Sequence, residues 1–371
     1  MKVLHVIIGL GNGGAEGVLT RLCLNSFKTE HEVISLTGLG FYGHTLIASG
    51  IKVHCLDIGY SPRTWINIFK IIGILKKNKE SVVQTWMYHA DLVGGVIAKI
   101  IGIKKIYWCI RHSELKPETT KKTTILIAKI CALLSFVIPS KIICCSKKAL
   151  KTHENIGYCS SKMIYVPNGY DLKLFYPDSN KRKEIRQELS IEEDVFLIGN
   201  VGRYHPDKDH ENLLKSLFFL KKMDCKFVCI LVGSGLNDPN LIECIQKNYL
   251  EDVIISYGVN NNIPLILNGL DLFVLSSKTE GFPNTLAEAM SSQINCVTTD
   301  VGDAALILNH DDCVVEAEQP QKLANAIFNM INECNNKPDL WTARKKLNRT
   351  RIKENFSIES MVNEYENIWY Q

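Results

Sequence analysis

Glu280 and Glu288 stand eight positions apart, and Gly281, Phe282, Pro283, Asn284 and Thr285 follow the first of them. The apolar run 271–275 leads in and reads as a buried parallel strand; residues 285–290 read as a helix. Glu280 then falls on a strand-to-helix loop and Glu288 about one turn into the helix. Carboxylates accept hydrogen bonds from pairs of hydroxyls, and the amides of Phe282, Asn284 and Thr285 lie at a helix N-terminus, where an anion binds well. The arrangement suits a phosphorylated sugar. An isolated pair of glutamates is usually two solvated carboxylates; the Gly-Phe-Pro-Asn between these two sets them apart.

Other groups sit where strands should end. The run 9–14, Gly-Leu-Gly-Asn-Gly-Gly, follows the first strand and fits G-x-G-x-x-G. A dinucleotide site also wants an acid after the second strand, and this chain has Ser35-Leu36-Thr37-Gly38 there, so the pattern alone is weak. Arg203 and Lys208 follow another strand, with Asp207 and Asp209 beside the lysine. Gly233-Ser234-Gly235 makes a third strand-to-loop turn. His112 follows the strand 106–110, and His89 and Asp91 follow 82–85; Asp91 is equally suited to capping a helix.

The elements that must position these residues alternate regularly. Strand patterns cover 3–8, 32–36, 53–56, 82–85, 106–110, 141–145 and 163–166. After Pro167-Asn168-Gly169 they resume at 195–201, 227–232, 253–256, 272–275, 295–298 and 314–315. Strands alternating with helices imply βαβ units and parallel sheets. With 371 residues the chain is long enough for two domains. The boundaries expected are 1–170, 171–355 and a C-terminal helix in 356–371, either crossing back to the first domain or staying on its own. The N-terminus is already a strand, so no secretory signal is expected. The 13 cysteines form no Cys-x-x-Cys pair and mostly lie in apolar runs, which favours reduced core residues over zinc or disulfides.

Charge is uneven. Residues 1–170 hold 22 Lys+Arg against 9 Asp+Glu, while the remainder holds 21 against 30. The basic half implies an anionic partner. No nucleic-acid motif appears and the lysines are not interleaved with aromatics, so a membrane is favoured and nucleic acid is not expected. The apolar run 121–139 is too short to span a bilayer and is interrupted by Lys129. It is either a packed helix or one lying on a membrane surface, with Lys116, Lys121 and Lys122 near headgroups.

The segment Glu280-Gly281-Phe282-Pro283-Asn284 through Glu288 resembles the E-x(7)-E signature of the retaining nucleotide-sugar glycosyltransferases of family 4. Gly13-Gly14-Ala15-Glu16, Arg203 with Lys208, Gly233-Ser234-Gly235 and Pro167-Asn168-Gly169-Tyr170-Asp171 extend the resemblance over essentially the whole chain. It implies an α/β GT-B fold, two Rossmann-like parallel-sheet domains facing a central cleft. It implies a UDP-sugar donor on the second domain, with Glu288 on the ribose, Glu280 on the sugar, and Arg203 and Lys208 on the diphosphate. These fixed cations stand in for a metal, so no cofactor is implied. Gly13 and Gly14 let the backbone approach the donor phosphates and the acceptor, His112 touches the donor sugar, and Glu16, His89 and Asp91 are candidates for the acceptor. A hexosyl or N-acetylhexosaminyl unit would pass to a lipid-linked saccharide at the cytoplasmic face of the inner membrane, for O-antigen or capsule synthesis. The alternatives are a UDP-N-acetylhexosamine 2-epimerase of the same fold and a non-catalytic partner subunit.

Overall fold

A computed structural model describes residues 1–59, 62–113, 115, 120–260 and 262–371, without the side chains at 62, 63 and 65. Lys116 lies outside the described residues. The chain forms two units, Met1–Gly169 with Ile358–Gln371, and Tyr170–Ser357.

The first unit is built on β1 (Lys2–Ile7), β2 (Glu30–Ser35), β3 (Lys52–Cys55), β4 (Val82–Trp86), β5 (Ile106–Ile110), β6 (Lys141–Cys144) and β7 (Met163–Tyr165). They pair in the order β3-β2-β1-β4-β5-β6-β7, every neighbour parallel. The second unit has β8 (Leu197–Val201), β9 (Val228–Val232), β10 (Ile254–Gly258), β11 (Leu272–Leu275), β12 (Asn295–Thr299) and β13 (Val314–Val315). Their order is β10-β9-β8-β11-β12-β13, again parallel throughout. In each sheet the order reverses beside the first strand, so the loops after β1 and β4, and those after β8 and β11, lie side by side. Such reversals are where open α/β sheets bind ligands.

Both faces of the first sheet are covered, which is why its strands read as continuous apolar runs. Leu4 and Val6 of β1 pack with Val83, Ile106, Trp108 and the helix residues Ala128 and Cys131. Val3 and Ile7 point the other way, toward Leu19 and Leu22 of helix 14–25 and toward Tyr365 and Trp369 of helix Ile358–Tyr370. That last helix is therefore part of the first unit. Ser26 donates to Glu366 at 2.8 Å, the Trp369 indole to Gln84 at 3.1 Å, and the Arg111 guanidinium to Tyr365 at 3.1 Å and to Asn168. Strand β2 begins two residues before its apolar run because Glu30 pairs in register with Lys2, whose ammonium reaches Glu32 at 2.6 Å.

One polar chain runs beneath this helix. The Trp86 indole donates to His5 Nδ1 at 3.1 Å, and His5 Nε2 lies 2.9 Å from His31 Nδ1. The indole donor fixes the proton on His5 Nε2, which then donates to His31. Cys23 lies within 4.8 Å of both imidazoles, a spacing compatible with a metal. A metal on His5 Nε2 would move the proton to Nδ1, against the Trp86 N–H, so the tautomer disfavours that use.

Burial, helped by the neighbouring His31, holds His5 well below the usual histidine range, and burial pushes His31 down to about 4. Both are neutral in the folded chain at neutral pH, whereas in the unfolded chain they take up protons below about pH 6.5. The unfolded state therefore binds more protons between about pH 6.5 and 4, and stability falls as pH falls through that window. The thermal midpoint of the first unit should drop between pH 7 and 5, and drop less in His31→Gln. Calorimetry giving equal pH slopes for the two proteins would contradict this.

Candidate functional site

Lys208 and Glu280 are far apart in sequence, yet the Lys208 ammonium lies 2.6 Å from Glu280 Oε1. The cause is the strand order. Lys208 ends a short turn, Pro206–Lys208, in the loop after β8, and Glu280 lies in the loop after β11, the strand beside it. Backbone bonds lace the two loops. The Lys278 amide donates to the Asp207 carbonyl at 2.8 Å, and Ser276 Oγ to the Lys208 carbonyl at 3.1 Å. Ser277 Oγ makes a second bond to Glu280 Oε1, at 2.7 Å.

The Glu280 backbone is pinned from the opposite side. Gly302 has φ +58°, and a Cβ there would fall 2.7 Å from the Glu280 carbonyl oxygen and nearer still to that of Gly281. Only glycine fits so close a backbone approach at this angle. Helix Asn284–Ser291 starts directly behind the loop with Pro283 as its N-cap, which offers no side-chain cap. Its first amides are thus positioned for an anion. Glu288 is half-buried one turn in, and Phe282 packs beneath, stacked on Tyr170 with ring centres 6.2 Å apart. The Tyr170 hydroxyl donates to Asn284 Oδ1 at 2.7 Å. Thr285 is half-buried in the first turn.

Arg203 is exposed, and no described residue pairs with its guanidinium. Its loop presses on the turn after β9: the Tyr204 amide donates to the Ser234 carbonyl at 2.8 Å, and the Gly202 carbonyl occupies the place a Gly233 side chain would need. A cavity of about 300 Å³ opens beside this turn, lined by Ser234, Leu236, Asn237, Ser256 and Val259 among others. His210, buried behind Lys208, is pushed down to about 4, by burial first and then by the lysine charge. A second cation therefore does not form beside Lys208 at neutral pH.

In the first unit, Gly13 is the N-cap of helix Gly14–Asn25 and offers no side chain; the half-buried Glu16 carboxylate folds back over it. Burial raises Glu16 above the usual carboxylate range. Met87 directly follows β4, and its φ of +69° is strained for a side-chain-bearing residue. His89 follows, half-buried and lowered by burial. Asp91 departs from expectation. It is fully buried, lies inside a helical turn rather than at an N-cap, presents no oxygen at the surface, and takes the Thr85 hydroxyl at 2.5 Å. Burial holds its carboxyl well above the usual range, against the lowering by Thr85. The sequence marks an acid after a strand; it does not reveal that this strand continues into a π-helical turn, Asp91–Gly95, that carries the acid inward. His112 is half-buried after β5, and its Nδ1 is buried without a partner among the described residues.

Residues 181–347 match the family model for glycosyl transferases group 1. EpsF of Bacillus subtilis strain 168 is 28% identical over 312 residues, covering 81% of this chain and 79% of EpsF. A UDP-Gal:alpha-D-GlcNAc-diphosphoundecaprenol alpha-1,3-galactosyltransferase of Escherichia coli is 24% identical over 313 residues, 82% of this chain and 78% of that one. Anabaena Alr3699/HepE, solved in complex with UDP, is similar in structure with a TM-score of 0.86, at 20% identity and over 99% of each chain. The chain has the GT-B fold, and its residues 181–347 are similar to the group 1 glycosyl transferases. The family match falls wholly within the second unit, which carries Arg203, Lys208, Glu280 and Glu288.

Ser277, Tyr170 and Gly302 were not evident as site residues. The Ser-x-x-Glu spacing of Ser277 and Glu280 is the one signal that could have marked the first. Gly302→Ala should destabilise the second unit by about 1–3 kcal/mol through backbone strain and displacement of the Glu280 loop. Gly258→Ala, at φ +83° but facing open space, should cost less. Equal denaturation midpoints for the two variants would contradict the pinning.

Proposed function

We propose that the chain is a retaining transferase that moves a hexosyl or N-acetylhexosaminyl unit from a UDP-sugar to a lipid-linked saccharide in surface polysaccharide synthesis. The observation that carries this is the contact between Lys208 and Glu280 in the loops before the open end of helix Asn284–Ser291. A nucleoside diphosphate fits those groups. Glu288 takes the ribose hydroxyls, the helix amides with Arg203 and Lys208 take the diphosphate, Glu280 takes sugar hydroxyls, and the cavity at Ser234 and Ser256 takes the base. As the glycosidic bond breaks, negative charge grows on the departing UDP, and fixed cations and amides stabilise it without a metal. The first unit takes the acceptor, with Gly13, Gly14, Glu16, His89 and His112 as its exposed or half-buried candidates. UDP and UDP-glucose complexes of HepE, and the donor and diphosphoundecaprenol-linked acceptor in the Escherichia coli relative's name, support this reading.

A donor panel read by UDP release tests it. Release should require lipid-linked acceptor, survive EDTA, and fall by roughly 10²-fold or more in Arg203→Ala or Lys208→Ala, the effect typical of removing one such donor. Glu288→Ala should weaken UDP binding at least about tenfold, since hydrogen bonds to a carboxylate contribute roughly 1.5–3 kcal/mol each. Isomerisation of the sugar nucleotide without acceptor would favour the epimerase, and neither activity the partner subunit.

The first unit's acceptor side is assigned to the cytoplasmic membrane surface. Helix Lys122–Leu134 buries Ala128, Cys131 and Ala132 but leaves Leu126 59% and Leu133 75% exposed, with Phe136 and Val137 exposed just beyond. Lys121, Lys122 and Lys129 are exposed along it, and no acid occurs from 120 to 140. Among the described residues no helix is long and apolar enough to cross a membrane; this one is suited to lying on it. Binding to vesicles with anionic lipid should be clear at low salt and weaken near 0.5 M, where the Debye length is roughly 4 Å. Changing Lys121, Lys122 and Lys129 to glutamate should abolish it while UDP affinity stays intact. Equal binding to neutral vesicles, or no change in the triple variant, would contradict the assignment.

A further inference from the structure

Ser277 lies outside the residues so far given a role, yet it controls the one freedom left to Glu280. The terminal torsion of a glutamate is broad, so a carboxylate held by a single flexible cation turns readily. Here two donors meet on one oxygen: Lys208 Nζ at 2.6 Å and Ser277 Oγ at 2.7 Å, both to Oε1. No described residue bonds Oε2, which stays available to a ligand.

The two anchors are unequal. Lys208 is an ammonium on a flexible four-carbon stem with 27% of its side chain exposed, and an arriving diphosphate competes for its charge. Ser277 is 1% exposed on a short side chain. Its carbonyl is fixed by Thr299 Oγ1 at 2.7 Å, and its neighbours Ser276 and Lys278 tie the same loop to Lys208 and Asp207. Once a diphosphate engages the lysine, Ser277 is the donor that still sets the plane of the carboxylate.

We propose that Ser277 is a positioning residue for sugar recognition, holding Glu280 by Oε1 so that Oε2 meets the hydroxyls of the bound sugar. This rests on the reading that the second unit binds a UDP-sugar. It distinguishes two parts of the ligand: Ser277 affects the sugar and leaves the nucleotide alone.

The test is calorimetric titration of the full chain with UDP and with whichever of UDP-glucose, UDP-galactose and UDP-N-acetylglucosamine the unmutated protein binds tightest. Ser277→Ala should keep UDP affinity within about twofold. The ratio of UDP-sugar Kd to UDP Kd should rise about tenfold or more, the scale of one hydrogen bond to a charged group. In a Glu280→Gln background the same change should alter that ratio by less than about twofold, because the serine acts through the carboxylate. An unchanged ratio in Ser277→Ala overturns the proposal, as do losses that multiply in the double variant. An equal fall for UDP and UDP-sugar also overturns it, since that marks collapse of the loop. Failure of the unmutated chain to bind UDP removes the donor reading itself, and this proposal with it.

Discussion

The contact between Lys208 and Glu280 depends on adjacency of β8 and β11 in the sheet, because nothing in the local sequence holds them together. Leu272 and Phe273 pair with Ile198 and Gly199, and that register delivers the two following loops to the same point. The ammonium and carboxylate are 27% and 11% exposed, so each has lost much of its water. Removing either partner leaves a poorly hydrated charge behind, which costs more than the pair contributes. A ligand with its own negative charge removes that difficulty by replacing one partner with another. In the proposed donor site the pair is thus exchangeable, the lysine passing from Glu280 to the ligand's phosphate.

Around this point the second unit is stiff where the chemistry needs stiffness. The tight approach of Gly302 to the Glu280 carbonyl and of Gly233 to the Gly202 carbonyl leaves no room for side chains. Tyr170 braces the helix start through Phe282 and Asn284. The cations sit on long side chains, Lys208 reaching Glu280 and Arg203 exposed on its loop, a reach that in the proposed donor site lets them meet phosphate without moving the scaffold.

The strands were legible because parallel strands buried on both faces read as apolar runs, as β5, β9 and β11 do; β3 and β10 are only partly buried and carry polar residues within the run. Strand ends were less legible: β2 extends to Glu30 through a lysine contact that no apolar pattern records. The carboxylate motif and the cations were legible from residue type and spacing. Ser277 was not, since a serine in a loop carries no signal until its partner oxygen is known. Asp91 failed for a related reason. Spacing after a strand places a residue along the chain but gives no information on whether a π-helical turn rotates it beneath the sheet. The seat of helix Ile358–Tyr370 was open between two sites because amphipathicity names a buried face without naming what buries it.

The acidity of the second half opposes a diphosphate ligand only where its carboxylates are unpaired. Many of its carboxylates are matched within the unit, among them Glu211 with Lys215, Glu243 with Lys247, Glu316 with Lys322, Asp271 with Arg182 and Arg186, and Glu333 and Asp312 with Arg344. Paired charges present small dipoles, and at physiological salt their fields fade within roughly 8 Å. In the proposed donor site a diphosphate at the head of helix Asn284–Ser291 is therefore governed by the helix amides, Lys208 and Arg203, whose guanidinium pairs with no described residue. The first unit is the reverse case. Among its described residues the ion pairs gather on Glu30 and Glu32, and over residues 1–170 Lys+Arg number 22 against 9 Asp+Glu, so the cationic field adds. Summed over the exposed face of helix Lys122–Leu134, beside Leu126 and Leu133, that field fits the proposed membrane surface better than a single small anion, because a surface satisfies the charges and covers the apolar side chains together.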